Sequence, residues 1–339
     1  MVTLKEVAQT AGVSIKTASR VVNHTARVSA ETRQRVEQVI SELGYQPNTI
    51  ARSLVNGRAN SVGVVIPRSA SYVFSHPFFN EVLRGVAEVL NNHDLNLLLH
   101  FAHSDSPYVE LYKQRRVDGF IIMSVPIDDP NLAGLVESGA PCVFTCRIRE
   151  DNNPTHWVDA DFTGGVGKAM EHLFSLGHRR IALLAGPPEL VSVRLRVQGY
   201  ERAFESYGAP HPNNLILYGD FSSESGRKLA KQVIHQSQPP TAIICGDDMM
   251  AMGAIQGLLE AGYQVPQDVS VVGFDDVGLA SLATPPLTSV RQDTYKKGRL
   301  AAETLMKVIN HSIGDSPVQI ALEASLIVRQ TTAMAKPSL

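Results

Sequence analysis

Thr3-Leu4-Lys5-Glu6-Val7-Ala8-Gln9-Thr10-Ala11-Gly12-Val13-Ser14-Ile15-Lys16-Thr17-Ala18-Ser19-Arg20-Val21-Val22-Asn23 decides how the front of this chain folds. Thr3 and Glu6 have capping-box spacing: the hydroxyl accepts from the amide three residues on, and the carboxylate reaches back. A short helix is expected from there to about Thr10, with Leu4, Val7 and Ala8 on one face. Glycine tolerates backbone that other residues resist, so Ala11-Gly12-Val13 reads as a tight turn. Ser14 then caps a second helix, Ile15 to about Asn23, with Ala18, Val21 and Val22 facing inward. Ser29, followed three positions later by Thr32, opens a third helix that stops at Gly44; its buried row is Val36, Val39, Ile40 and Leu43. Two short helices about a glycine turn, followed by a third, make a helix-turn-helix.

The second helix presents Ile15, Lys16, Thr17, Ser19 and Arg20 outward. A DNA major groove admits a helix of this kind, with its N-terminal residues at the base edges. An arginine at Arg20 can bond guanine O6 and N7 together, Ile15 can pack on a thymine methyl, and Lys16 can reach guanine or phosphate. Pro47 disfavours helix at Gln46 and sets the next segment apart. Asn48 can cap a short helix through Val55, which ends at Asn56-Gly57. That is below the roughly 12–15 residues an isolated helix needs in water, so it is expected to order on binding. Leu54 would be exposed on it.

Charge supports a DNA-facing front. Across 339 residues the net charge is −2, but eight basic and four acidic side chains give residues 1–60 a net +4, leaving −6 for the rest. A basic head on an acidic body suits nucleic-acid contact through one end. The 44% hydrophobic and 19% charged composition is that of globular material, not a disordered tail, and the length allows two or three domains. No apolar stretch is long enough to span a bilayer, and Met1-Val2-Thr3-Leu4-Lys5-Glu6 lacks a signal peptide's apolar core. A cytoplasmic, nucleoid-associated protein with no membrane partner is expected. Cys142, Cys146 and Cys245 read as strand thiols in a reducing compartment, without His or Cys neighbours to complete a metal site.

From Ser61 onward, apolar runs alternate with amphipathic helical patterns. The runs are Val62–Ile66, Leu95–Leu99, Gly119–Met123, Cys142–Thr145, Ile181–Leu184, Ala242–Cys245 and Val269–Gly273. Such alternation means parallel sheets covered on both faces, and the length suggests two lobes. Ligands bind beyond the carboxyl ends of parallel strands. That singles out Ser124, Arg147, Asp247 with Asp248, and Asp275 with Asp276. In each carboxylate pair one member is expected to cap the next helix or stay in solvent while the other faces a ligand. Catalytic motifs are missing. Gly164-Gly165-Val166-Gly167-Lys168-Ala169 is not a phosphate loop, because Phe162 stands where its first glycine belongs and Ala169 has no hydroxyl for magnesium; it reads as a closely packed helix start. There is no nucleophile elbow, and His178 reads as structural. No enzyme activity, cofactor or metal is expected.

The run Leu4–Ala8, Ala11–Ser14 and Thr17–Asn23, with Val28-Ser29-Ala30-Glu31-Thr32-Arg33, Leu43-Gly44-Tyr45-Gln46-Pro47-Asn48 and Ala51-Arg52-Ser53-Leu54, resembles the head of the lactose/galactose repressor (LacI/GalR) family. Ala18 stands where Val is commoner. The resemblance continues through Pro77-Phe78-Phe79, Arg116–Gly119, Leu176-Gly177-His178-Arg179, Arg196 with Gly199-Tyr200, Gly246–Gly253 and Val265–Asp275. It implies an α/β protein: a three-helix helix-turn-helix head plus a two-lobed effector domain with parallel sheets, similar to periplasmic sugar-binding proteins. It implies that Ile15, Lys16 and Arg20 read the major groove, that Asn48 belongs to the DNA-contacting hinge, and that Leu54 wedges into the minor groove at the operator centre. Two wedges need two chains, hence a homodimer on a pseudo-palindrome. It further implies that Arg196, Asp275 and Asp247 bond a small polar effector, with Phe78, Phe79 and Phe221 supplying apolar faces. A sugar needs such a set: fork-like donors and acceptors at its edge and an apolar plate under the ring. Asp247 replaces the commoner Asn or Gly, and Cys146 stands where many relatives carry Asp.

These readings divide the chain into a DNA-binding domain (residues 1–46), a hinge and linker (47–58) and an effector and dimerisation domain (59–339). Within the last, one lobe takes about 60–161 and 292–322, the other about 162–291 and 323–335. The C-terminal Thr331–Leu339 stretch shows no leucine heptads, so a dimer is expected without a tetramerising tail. The function expected is that of a ligand-responsive transcription regulator, most plainly a repressor with a sugar-like effector. The alternatives are a transport-type sugar-binding protein without a DNA role and the same regulator using a purine or nucleoside co-repressor.

Overall fold

Thr3 starts the fold as its spacing predicts. Its hydroxyl accepts from the Glu6 amide at 3.3 Å, and the Glu6 carboxylate accepts from the Thr3 amide at 2.7 Å. The computed structural model describes residues 2–23, 28–45, 58–101, 107–149, 155–209, 213–314 and 316–336. The capping box launches α1 (Leu4–Thr10); Ser14 caps α2 (Ile15–Val22) and Ser29 caps α3 (Ala30–Leu43). Gly12 and Gly44 take positive φ of 66° and 61°, the left-handed backbone that glycine adopts without steric penalty. Val7, Ala11, Val21, Val36 and Val39 make the small core of this head, with Ile40 and Leu43 half-buried beside it. The chain divides into two compact units, residues 1–60 and 61–339.

The second unit holds two six-stranded sheets. The first contains β1 (Ser61–Ile66), β2 (Asn96–Phe101), β3 (Gly119–Ile122), β4 (Cys142–Phe144), β5 (His156–Ala160) and β11 (Gln319–Leu322), in the order β11-β5-β4-β3-β1-β2. The second contains β6 (Ile181–Ala185), β7 (Ile216–Tyr218), β8 (Ala242–Cys245), β9 (Ser270–Asp275), β10 (Thr288–Arg291) and β12 (Ser325–Ile327), in the order β12-β10-β9-β8-β6-β7. All neighbours are parallel except β12, which runs antiparallel to β10. The chain passes between lobes three times: after β5, after β10, and between β11 and β12.

Seven of these strands coincide with the apolar runs. The other five do not, because they are short or polar. Strand β10 reads Thr-Ser-Val-Arg, yet Thr288 and Ser289 are fully buried. Their polar atoms are satisfied: the Thr288 amide donates to Thr331 Oγ1 at 2.9 Å and the Ser289 hydroxyl to Asp248 at 2.6 Å.

Helices cover both faces of each sheet. In the first lobe α5 (Pro77–Asn92) packs on α13 (Thr294–Ile309) with their backbones touching. A β-carbon on Gly298 would lie 2.0 Å from the Val82 carbonyl oxygen, and one on Gly85 would lie 2.2 Å from that of Tyr295. In the second lobe α8 (Phe162–Ser175) begins under an Asp161 cap; Gly165 lets it approach Val290, Ala324 and Phe274. This is the glycine-rich stretch that imitates a phosphate loop. His178 pins the C-terminal segment, its ring within 2.9–3.0 Å of Thr241, Ser270 and the Ala333 carbonyl. Among the described residues no helix is long and apolar enough to cross a membrane.

The contact at Gly298 generates a test. Gly298→Ala is expected to destabilise the chain by about 1–3 kcal/mol, as overpacking does, because the obstacle is backbone and cannot rotate away. Urea unfolding at equilibrium measures it, and an unchanged midpoint would show that the two helices have slack.

Candidate functional site

The carboxyl ends of strands from both lobes converge on one cleft with about 630 Å³ of empty space, part of it open to solvent. The first lobe supplies Ser124 after β3, Thr145 to Arg147 after β4, Asp159 on β5, and Phe78 and Phe79 at the start of α5. The second supplies Asp247 after β8, Asp275 at the end of β9, Arg196 on α9 (Val191–Ser206), and Phe221. All eight effector residues expected from the sequence (Phe78, Phe79, Ser124, Arg147, Arg196, Phe221, Asp247 and Asp275) therefore line the same space. Phe221 takes a positive φ of 65°. Its ring lies against Gly186 at the end of β6, where a β-carbon would sit 2.1 Å from it. Only glycine there leaves room for the plate.

Arg196 is the most exacting group. It is 4% exposed, and its guanidinium lies 4.3 Å from the Phe162 ring centre and 4.2 Å from that of Phe274. One nitrogen donates to the Ser192 carbonyl at 3.1 Å and another lies 3.9 Å from Asp275 Oδ1. Nε is buried with no partner among the described residues. Burial lowers the pKa, and the charges of Asp275, Asp247 and Asp159 oppose that loss. A guanidinium with donors to spare, clamped between two rings, is ready to bond an acceptor. Asp275 answers it: burial pushes its pKa up to about 6 against the pull of Arg196.

Five further polar residues stand out in the cleft. His76, Tyr72, Asp159, Gln292 and Lys297 all line it, and nothing in their local sequence marks them. Lys297 is 1% exposed and donates to Asp159 Oδ1 at 3.0 Å and to Gln292 Oε1 at 2.7 Å. Gln292 donates to Asp275 Oδ1, and the other oxygen of Asp159 accepts from the Arg147 amide at 3.0 Å. His76 Nε2 lies 2.7 Å from Asp247 Oδ2, joining the lobes directly. The paired carboxylates depart from expectation. Asp247 both caps α11 (Asp248–Glu260), through the Met250 amide at 2.7 Å, and faces the cleft. Asp248 is not in solvent: it is 1% exposed and accepts from the Val277 amide and Ser289. Asp276 is paired with Arg291 and Arg329. Among the described residues no His, Cys, Asp and Glu cluster has metal-binding geometry.

On the head, Ile15 is 51% exposed, and Lys16 and Arg20 are exposed beside it. Thr17 and Ser19 are half-buried and already bonded within the helix: Thr17 Oγ1 lies 2.9 Å from the Ser14 hydroxyl, and Ser19 accepts from Asn23 at 3.2 Å. Asn48 and Leu54 lie outside the described residues.

A helix-turn-helix head and a two-lobed body with a polar cleft at its strand ends define a transcriptional regulator with a periplasmic-binding-protein-like domain. Residues 3–48 match the bacterial regulatory proteins of the lacI family, and residues 170–332 match the periplasmic binding protein-like domain. The chain belongs to the LacI family of bacterial regulatory proteins. It is 36% identical to the HTH-type transcriptional regulator CelR of Thermobifida fusca, covering 97% of this chain and 98% of that one. It is 33% identical to catabolite control protein A of Priestia megaterium, covering 98% and 99%. Among solved structures, a CelR–cellobiose complex superposes with a TM-score of 0.75 at 34% identity, covering 98% of this chain and 100% of that one. The lac repressor dimer bound to operator and the anti-inducer ONPF superposes with a TM-score of 0.87 at 30% identity, covering 98% and 99%.

The His76–Asp247 contact makes one linkage testable. Burial disfavours the imidazolium, but the hydrogen bond and charge of Asp247, with Asp275 beyond, outweigh it and raise the pKa. The stabilisation is thus complete below the unfolded value of about 6.5 and is lost as pH rises through the folded value. His76→Asn is expected to lower the melting temperature more at pH 6 than at pH 9. Equal losses would mean that the folded imidazole is neutral throughout.

Proposed function

We propose that this chain is a ligand-responsive repressor that binds a pseudo-palindromic operator as a homodimer and is controlled by a sugar-like effector in the cleft. The observation that carries the effector assignment is the buried Arg196. It presents unused donors beside the carboxylates of Asp275 and Asp247, with the ring of Phe221 5.9 Å away. Hydroxyl groups satisfy both kinds of partner at once, because each donates and accepts. The cellobiose complex of CelR and the operator-bound lac repressor dimer are the relatives that support the two halves of the reading.

On the DNA side, the exposed Ile15, Lys16 and Arg20 read base edges, while Thr17 holds the start of the helix, Ser19 its end, and both add contacts. Asn48 and Leu54 belong to the hinge, Leu54 as the minor-groove wedge. The effector alters the angle between the lobes, and operator and effector affinities are coupled reciprocally, by about 1–3 kcal/mol. The protein works in the cytoplasm, on the nucleoid.

Gel-shift titration on the DNA upstream of its own gene, with and without sugars, tests the whole. Failure of the protein to distinguish that DNA from random duplex would refute operator binding. Arg20→Ala is expected to cost about 1–3 kcal/mol and to relax the preference at one base position; an unaltered base preference rules that contact out. Arg196→Ala is expected to keep operator affinity and lose the response to sugar. A normal response would remove Arg196 from the effector site.

A further inference from the structure

The two lobes hold each other by more than the three passages of chain. Among the described residues, three polar contacts run directly from one lobe to the other. The Ile127 amide donates to the Glu189 carbonyl at 3.0 Å, the Tyr72 hydroxyl reaches the Asp220 carbonyl at 3.5 Å, and His76 Nε2 meets Asp247 Oδ2 at 2.7 Å. The first two join neutral groups. The third is the shortest, and it alone has two sides that can both carry charge.

The start of α5 turns His76 into this contact. His76 is the N-cap residue of the helix, yet its side chain makes no capping bond. The next residue, Pro77, has no amide to offer, and the imidazole reaches across the cleft instead. Tyr72, Phe78 and Phe79 surround the ring, with centres 5.5, 6.4 and 5.6 Å away, and His76 is buried. Asp247 is fixed on its own side: Oδ1 accepts from the Met250 amide at 2.7 Å, and Oδ2 is left to His76.

The charges facing the ring agree in sign. From the opposite lobe Asp247 and Asp275 favour the imidazolium, as does the Phe221 backbone; burial opposes them and is outweighed. Arg196, 3.9 Å from Asp275, offsets part of that carboxylate's charge. From the ring's own lobe Tyr72 packs against it and stays neutral, because burial raises its pKa. Arg68, Arg147 and the paired Lys297 and Asp159 line the same cleft. Parting the lobes separates His76 from Asp247 and returns the ring to water, where its ordinary pKa is about 6.5. The closed form therefore binds the proton more tightly than the open one, and by linkage the proton favours closure. That gain is complete below about 6.5 and is lost as pH rises through the raised value of the closed form.

We propose that His76 and Asp247 form a proton-operated latch between the lobes. Both partners belong to the protein, so the latch draws the lobes together without an effector. Acidification then acts on this regulator in the same direction as a ligand that closes the cleft, and the proton is a second input beside the effector. The latch depends on the lobes being able to part and not on the sugar reading, so either can fail without the other.

The Ile127 amide reports the state of the lobes, because its acceptor lies on the opposite one and parting them frees it to exchange. Hydrogen exchange followed by NMR on the full chain, with no sugar added, gives its protection factor once the intrinsic effect of pH is divided out. Amides within β3 report global unfolding, and only changes at Ile127 in excess of theirs count. Protection at Ile127 is expected to fall about threefold or more between pH 6.5 and 8.5, with the same midpoint as the titration of the His76 ring protons. His76→Asn and Asp247→Asn are each expected to give the low value at both pH values; asparagine at 247 still caps the helix. Equal wild-type protection at the two pH values would overturn the latch, as would a midpoint different from that of the ring. A pH dependence that survives both substitutions would overturn it too, and would pass the role to another group such as Asp275, whose pKa burial pushes up to about 6. If neither variant folds, the two wild-type midpoints decide.

Discussion

A fully buried ammonium group governs the body of this protein. Removing Lys297 from water carries a desolvation penalty of several kcal/mol, and the fold offsets it chiefly by bringing Asp159 and Gln292 into contact with it, with the rings of Phe78 and Phe162 nearby. Those two are not interchangeable with any nearby side chain. Asp159 is held by the Arg147 and Ala160 amides, so the ammonium is tied to the ends of β4 and β5. Gln292 sits on the passage from β10 to α13 and turns its amide to Asp275. A single line of donors and acceptors thus runs from one lobe, through a connecting segment, to the carboxylate that faces Arg196. Removing one partner of such a pair leaves an uncompensated charge, which is far worse than never having buried it. The cleft's polar groups are in consequence fixed before any ligand arrives.

How much of this the sequence disclosed depends on where the information lies. The head is written locally: each helix carries its own cap and apolar row, Gly12 and Gly44 follow the first and third, and the caps at Thr3, Ser14 and Ser29 fall where spacing puts them. The strand-end rule found Ser124, Arg147, Asp247 and Asp275 because each comes after an apolar run. It did not find Asp159, because His156-Trp157-Val158-Asp159-Ala160 is not such a run. Arg68 lies close enough to the end of β1 for the same rule to have reached it. His76 and Lys297 carry no local mark at all. Their carboxylate partners are 171 and 138 positions away, and only the folded chain brings them together. The polar strand β10 was hidden for a related reason, since Thr288 and Ser289 are buried by virtue of hydrogen bonds and not of hydrophobicity.

The carboxylate pairs teach a similar point. Asp247 and Asp248 are neighbours with opposite assignments. The first looks into the cleft and caps a helix; the second turns under β10 and holds the Val277 loop. Burial raises the pKa of Asp248 well above that of an ordinary carboxyl, with Asp275 adding to the effect. The backbone decides which does which: Asp247 is the extended N-cap of α11, and Asp248 is its first helical residue. The pair at 247 and 248 thus turns one carboxylate into the cleft and uses the other to anchor the loop that follows β9.

The three passages of the chain between the lobes have a mechanical consequence. One connector would let two bodies swivel freely, and two would leave a twist about the line joining them. Three short ones at the ends of β5, β10 and β11 act like the leaves of a door hinge, stiff to sliding and separation but compliant in bending. On the proposed reading an effector in the cleft acts on this bend, and occupancy becomes an angle, a quantity that a rigid body can carry undiminished to its far end.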